Sequence, residues 1–591
     1  MAGPLTWFRT LRPIPPSMLL RRLVFGARRL VRSAFPRLSA ALAAGGADAA
    51  PMDLRPFAGF FAAARAGRGW PGLIDEGALT IRLPGARVPY EPAPDWAASG
   101  LSRHAGLELH AFRYLEDIAS RAEPGRRSEA WALGRRLVLG WLEACARPVG
   151  WGWDPYSVSL RVVNWLKFAA AFEPELGAEP AVAARIARSL RAQGRHLARN
   201  VEWHLRCNHL LENGRALLFL GSAFGDDRAR RWERAGRRIV DGGVREQFFR
   251  DGCHVERSPM YHMLVLELLA DCIELVRSRG EEPPAAWLEA LSRACSFARA
   301  VLHPDGGIPL LNDSALGVSR APEELLARAA GILGGETRAG EPSDSGFRVV
   351  RTGELFLVAD CGAPSPPYNP AHSHAGALSF ELSVGGRRAI VDTGVAEYAP
   401  GELRSYCRST RAHDTLCVGG ADQSEMWSSF RVGGRARCEV SAIREEAGAI
   451  RFSANCRWHG GAVVHSREWI MWPSEGVLVV DSVETAPGAP VECPLRFGPG
   501  WRVERRDGRT WLCEEGAARC WVYVGEPWRA ACGSSPVWRE FGRREEAATL
   551  ALQAAGPFAS AAFFVGLGPP REARVLPAER RLVVDGRSFS W

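Results

Sequence analysis

Asn208-His209-Leu210-Leu211-Glu212-Asn213-Gly214 opens an apolar pattern of helical period that continues to Phe224. Glu256-Arg257-Ser258-Pro259-Met260-Tyr261-His262 opens a second such pattern, which runs to Ser278. Each start crowds amide, imidazole, carboxylate or phenol groups into one or two turns. A helix that only has to begin needs one capping residue. The surplus of polar chemistry points to a functional site that can hold a polar ligand and move a proton.

Working outward, the helical period persists from about Leu101 to Ala330, in segments such as Ser128 to Ala146, Val158 to Phe172, Ala181 to Asn200 and Pro284 to Leu302. Short joins punctuated by glycine, proline or aspartate imply antiparallel helix hairpins. Tryptophans near the helix ends suit an α/α toroid with a groove at one end. A tetratricopeptide-like solenoid would show a fixed repeat, and none is visible. Residues Gly334 to Ser345 turn to glycine, glutamate, serine and proline, the composition of a linker. Beyond it the period becomes two, in Phe347–Arg351, Glu354–Ala359, Leu378–Val384, Ala389–Asp392 and Gly476–Asp481, with turns at Gly385-Gly386 and Asp507-Gly508. The expected fold is α+β and multidomain: a basic segment over 1–50, an (α/α) toroid over 51–335, and an antiparallel β-sandwich over 346–591.

Composition narrows the function classes. A net charge of +9 suggests nucleic acid, but the arginines are scattered among acids and Lys167 is the only lysine. That scatter argues against a phosphate-binding surface, and a basic field would equally suit a polyanionic polysaccharide, since steering depends on charge and not on the polymer's chemistry. The 14 cysteines form no Cys-x-x-Cys pair and sit singly in apolar patterns, as buried free thiols do. Met18 to Leu38 alternates apolar residues with six arginines, like a basic amphipathic helix. It contains no uninterrupted apolar core of a secretory signal, and nothing reaches the roughly 20 apolar residues of a membrane span. Thiols and the missing signal favour the cytoplasm, with the periplasm as the alternative. The basic segment is expected to pack on the first domain; contact with an anionic membrane surface is the other reading.

Several motifs together resemble one family. They are Gly152-Trp153-Asp154-Pro155-Tyr156 leading to Arg161 and Asn164, the two helix starts above, Asp251-Gly252, Pro304 to Pro309, Asn312-Asp313-Ser314, His372-Ser373-His374-Ala375, Asp392-Thr393-Gly394 and Arg411 to Thr415. In this order they are similar to heparinase II/III-like polysaccharide lyases, which join an alginate lyase-like toroid to a heparinase II/III-like β-sandwich. The resemblance implies β-elimination on a uronic-acid-containing polysaccharide such as a glycosaminoglycan or alginate. Many members carry aspartate after the His-x-His-Ala tetrad, where this chain has Gly376.

β-Elimination needs the uronate carboxylate neutralised, the C5 proton removed and the departing O4 protonated. Asn208 is the candidate neutraliser, since an amide donates without adding charge. His209 is the alternative, oriented by Glu212 three residues on. Tyr261 is the candidate base and acid, and a phenol of pKa about 10 needs a cation beside it, from His262, His254 or Arg257. The resemblance gives His372 to the groove as a further proton-handling group. It gives His374, Asp392 and His413 to a structural divalent metal site, zinc by chemistry, with His459 or His465 as substitutes for His413. No organic cofactor is implied. Trp153, Arg161, Asn164, Glu212, Glu256 and His262 are the expected substrate-binding groups. Two other classes remain: a non-catalytic glycan-binding accessory protein, and a glycoside hydrolase using Glu212 and Glu256 as paired carboxylates.

Overall fold

Pro155, Pro180, Pro259 and Pro322 each occupy the first position of a helix, where a missing N–H removes no internal hydrogen bond. In the computed structural model these starts open the helices Pro155–Ala171, Pro180–Arg199, Pro259–Ser278 and Pro322–Leu333. Arg127–Ala144, Cys207–Ala223, Asp227–Glu246 and Ala285–Val301 are interspersed among them. The structure describes residues 3–35, 51–60, 73–123, 125–569, 573–576, 581–584 and 587–590. Residues 36–50 of the basic segment therefore lie outside the described residues.

The helices wrap an α/α toroid around one apolar core that includes Trp141, Trp165, Leu218 and Trp287. Its centre also holds charge. Lys167 Nζ lies 3.2 Å from Glu116 and 2.9 Å from Asp271, and Arg215 reaches the same Asp271 at 2.8 Å. Buried charges are tolerated only when paired in this way.

After Phe347 the regular structure is nearly all strand, interrupted by the short α-helix Glu402–Arg408. Phe347–Thr352, Leu355–Asp360, Ser379–Val384 and Arg387–Ile390 make a four-stranded antiparallel sheet whose last hairpin turns at Gly385 and Gly386. A nine-stranded sheet runs from Arg437–Val440 to Arg502–Arg505, and another four-stranded sheet is built on Arg529–Glu540 and Arg543–Ala555. Their inner faces share a second core, including Phe380, Trp469, Trp511 and Phe563. All 14 cysteines are free thiols, and most are buried.

The two halves are joined by an apolar seam and by buried ion pairs, of which Arg257–Asp360 lies beside the seam. Cys253, Phe297, Val301 and Leu311 pack on Phe347, Phe356 and Val358. Beside that seam the Arg257 guanidinium pairs with Asp360, and it also donates to the carbonyls of Ser345 at 2.6 Å and Ala363 at 2.9 Å. Asn312 Nδ2 donates to the same Asp360 at 2.8 Å. Truncating Arg257 leaves a carboxylate buried without its cation, so Arg257→Ala should cost roughly 3–5 kcal/mol in chemical denaturation. A loss within about 0.5 kcal/mol would contradict the joining role.

Candidate active site at the domain junction

Two local backbone features aim the first group. Arg206 and Cys207 both adopt left-handed φ values of 54°, so the chain turns sharply before the Cys207–Ala223 helix. Asn208 does not cap this helix. Its Nδ2 donates to both oxygens of Glu256, at 2.9 and 2.8 Å. Tyr261 lies in the first turn of the Pro259–Ser278 helix, whose cap is Ser258. The Ser258 hydroxyl accepts from Tyr261 N at 3.2 Å and donates to the Asp313 carbonyl at 2.6 Å. The cap thus ties the tyrosine to the loop that carries Asp313.

Asp313 is fully buried and organises the other side of the site. One oxygen meets His372 Nδ1 at 2.9 Å, the other meets His374 Nε2 at 2.8 Å, and Arg404 grips both. Burial alone would raise this carboxyl, but Arg404 and the two imidazoles outweigh it and hold the pKa well below the usual range. Asp313 is therefore an anion, and an anion on Nδ1 fixes His372 with a proton there and leaves Nε2 as the free face. His372 Nε2 lies 3.7 Å from Glu256, and the imidazole lies over the Tyr261 ring with 3.9 Å between centroids. Asn208, Glu256, His372 and Tyr261 thus form one continuous set drawn from both domains.

The Tyr261 hydroxyl meets that of Tyr398 at 3.2 Å. Burial, reinforced by Tyr398, pushes the Tyr261 phenol well above its ordinary pKa, so it rests protonated. The cations expected to activate it are elsewhere. Burial lowers His254 and His262 to about 4, leaving both neutral at pH 7. His262 is committed to the Ala294 carbonyl at 2.9 Å, and Arg257 to Asp360. The expectation that these three activate Tyr261, and that His262 meets substrate, is corrected.

His209 Nδ1 pairs with Glu202 at 3.1 Å, and its ring stacks on Tyr156 at 4.3 Å. Glu212, expected to orient it, instead pairs with Arg215 at 2.5 Å inside the toroid. With its carboxylate so committed, Glu212 is a poor half of a hydrolytic pair. Trp153 donates to the Cys145 carbonyl at 2.9 Å, Asn164 to that of Ala111 at 2.8 Å, and Arg161 to Gln193 at 3.0 Å while lying 3.9 Å over Trp141. All three are buried parts of the toroid interior, which corrects their expected contact with substrate.

In the sandwich, His413 Nδ1 pairs with Asp392 at 2.7 Å, and the His413 and His374 rings lie 5.2 Å apart. His374 Nδ1 and His413 Nε2 are buried without hydrogen-bond partners. Asp392 faces the far nitrogen of His413, and no group of three His, Cys, Asp or Glu side chains among the described residues is arranged to hold a metal ion. The expected ligand set of His374, Asp392 and His413 is not assembled. His465 is paired with Asp481 at 2.7 Å. Gly376 has a packing reason: a Cβ there would lie 2.8 Å from the His413 ring.

Sequence reasoning missed Asp313 as an organiser, together with Glu202, Tyr398 and Arg404. Asp313 lies in the Asn312-Asp313-Ser314 motif, and that motif was its only sequence signal. Tyr398 and Arg404 carried none.

The His209–Glu202 pair has a pH signature. Burial would lower the imidazole, but Glu202 outweighs it and the pKa stands above 6.5. A raised histidine contributes its stabilisation fully below the unfolded pKa of about 6.5 and loses it as pH rises through the folded value. His209→Gln should therefore destabilise more at pH 6 than at pH 9 by urea denaturation. Equal losses at both would remove the charged pair from the account.

Comparison with known proteins follows the same geometry. Residues 137–330 match the family description "Heparinase II/III N-terminus" and residues 336–569 match "Heparinase II/III-like, C-terminal". The chain is 24% identical to FtsZ-localized protein C of Caulobacter vibrioides over 411 residues, 67% of each. It is 23% identical to a heparin-sulfate lyase of Pedobacter heparinus over 348 residues, 55% of this chain and 50% of that protein. The crystal structure of heparinase III superposes with a TM-score of 0.67 at 14% identity, covering 92% of this chain and 91% of that one. Heparan sulfate lyase HepC of Pedobacter heparinus gives 0.57 at 16%, covering 96% and 93%. With both halves matched in order and the same two-domain fold, the chain belongs to the heparinase II/III-like family.

Proposed function

We propose that this protein cleaves a uronic-acid-containing polysaccharide by β-elimination, with His372 as base and Tyr261 as acid. The observation that carries this reading is the His372 imidazole held by Asp313 on one nitrogen while its ring lies against the Tyr261 phenol. In the forward step His372 Nε2 takes the C5 proton, and the released pair becomes the C4=C5 double bond. The C4–O4 bond breaks, and O4 takes the Tyr261 proton. Transfer of the C5 proton back to the phenolate, across the stacked pair or through solvent, restores both groups. A rest-state phenol kept protonated by burial suits an acid. Asn208 serves the sugar carboxylate once the substrate displaces Glu256, and His209 stands at the partly exposed edge.

One observation favours a second reading. The Asn208 amide is occupied by Glu256, an anion where a sugar carboxylate would bind. A non-catalytic glycan-binding protein would not need that exchange for any chemical step, and one relative is named for its localisation with FtsZ rather than for a polysaccharide.

The test is absorbance at the unsaturated-uronate band after incubation with heparan sulfate, other glycosaminoglycans and alginate. The lyase reading expects a rise with at least one of them. It also expects Tyr261→Phe and His372→Ala each to lower turnover on the order of 10²–10⁴-fold with binding retained. Binding without any rise supports the accessory reading, and new reducing ends without the band indicate hydrolysis.

A further inference from the structure

The N-terminal helices are turned the wrong way round for a purely soluble protein. Pro16–Ala34 lies against the body through Met18, Arg22 and Phe25: Met18 is buried, and Phe25 stacks on His204 at 4.2 Å. Arg21 lies 5.1 Å over Trp203, and Arg28 donates to the Arg199 carbonyl at 2.8 Å. The helix is thus held through the side that bears Met18, Arg22 and Phe25, while Arg21, Arg28 and Arg29 stay exposed. Leu20, Leu23, Val24, Ala27, Leu30, Val31 and Ala34 follow the i, i+3, i+4, i+7 pattern and form an apolar arc about 120° wide. That arc faces solvent: Leu23 is 72% exposed and Leu30 73%.

The preceding helix, Pro4–Leu11, repeats the arrangement on the other domain. Thr6 donates to Glu425, and Trp427 donates to the Thr10 hydroxyl at 3.0 Å, so the polar side is docked. Leu5, Trp7, Phe8 and Leu11 are left exposed. A contiguous exposed apolar surface of this kind marks something that covers it.

Charge selects the cover. Residues 3–35 contain seven arginines and no aspartate or glutamate. Arg9 and Arg12 also line an open recess of about 1120 Å³, where they and Arg435, Arg437 and Arg457 outnumber Asp422 and Glu425. A second copy of the chain fits poorly, because an isologous contact would set the same arginines against one another. Leucine, tryptophan and phenylalanine flanked by arginine are instead what an interfacial helix offers to acyl chains and anionic headgroups. No helix among the described residues is long and apolar enough to cross a membrane, so contact would be in the plane of the surface.

We propose that the N-terminal helix pair docks the protein on an anionic phospholipid membrane, with Leu20, Leu23, Leu30 and Val31 entering the headgroup–acyl boundary. The proposal stands apart from the chemistry of the site.

The experiment is vesicle flotation of the full chain, using phosphatidylcholine alone or with about a third phosphatidylglycerol, at about 0.1 M salt. The protein should float with the anionic vesicles, at least tenfold more tightly than with the neutral ones, and should be released by high salt. Leu23→Glu combined with Leu30→Glu should weaken flotation at least on the order of tenfold, because each leucine loses its burial in the acyl region. These side chains touch little of the body, so circular dichroism and melting temperature should stay at wild-type values and separate lost docking from lost folding. Three results would overturn the proposal: wild type that fails to float on anionic vesicles, a double variant that floats like wild type, or a vesicle-free dimer that the double variant abolishes.

Discussion

The Asp313 carboxylate is the contact on which the rest of the site depends. It comes from the loop between the helices Ala285–Val301 and Pro322–Leu333, and its three partners, His372, His374 and Arg404, all come from the sandwich side. An unpaired anion at this depth would be prohibitively costly, so the ion is stable only when the two domains are docked as observed. The requirement runs in both directions. The docked halves keep Asp313 charged, and the charged Asp313 keeps the His372 ring against Tyr261. The Arg257–Asp360 pair and the apolar seam around Phe347 make that docking rigid. Positioning to within a fraction of an ångström is what acid–base chemistry demands of its groups.

Much of this was legible in the residues. Helices followed by strands can be read from the change of period from 3.6 to two, and the observed helices begin and end within a few residues of the apolar patterns. Pro259 and Ser258 advertised the start that carries Tyr261, and the Gly385-Gly386 turn advertised its hairpin. Asn208, Glu256, Tyr261 and His372 stood out because their types exceeded what a helix start or a strand end needs.

What could not be read was partnership. Glu212 lies one helical turn from His209 and was the natural partner by spacing, yet the imidazole turns toward Glu202, which precedes the helix. Arg161 and Asn164 had the chemistry of carboxylate binders, but the toroid uses them to satisfy buried carbonyls. His374 and His413 had the types of metal ligands, while their carboxylates approach from opposite nitrogens. Tyr398 and Arg404 come from a segment with no distinguishing pattern and reach the site only through tertiary packing. Periodicity reports which face is buried. It does not report which of several polar groups on that face will meet.

Nitrogen-15 NMR of histidine-labelled protein reads the orientation of His372 directly. Neutral His372 should carry its proton on Nδ1, toward Asp313, with Nε2 unprotonated and facing the Asn208–Glu256 side, and Asp313→Asn should erase this preference. A His372 resonance pattern with the proton on Nε2, unchanged by Asp313→Asn, would contradict it.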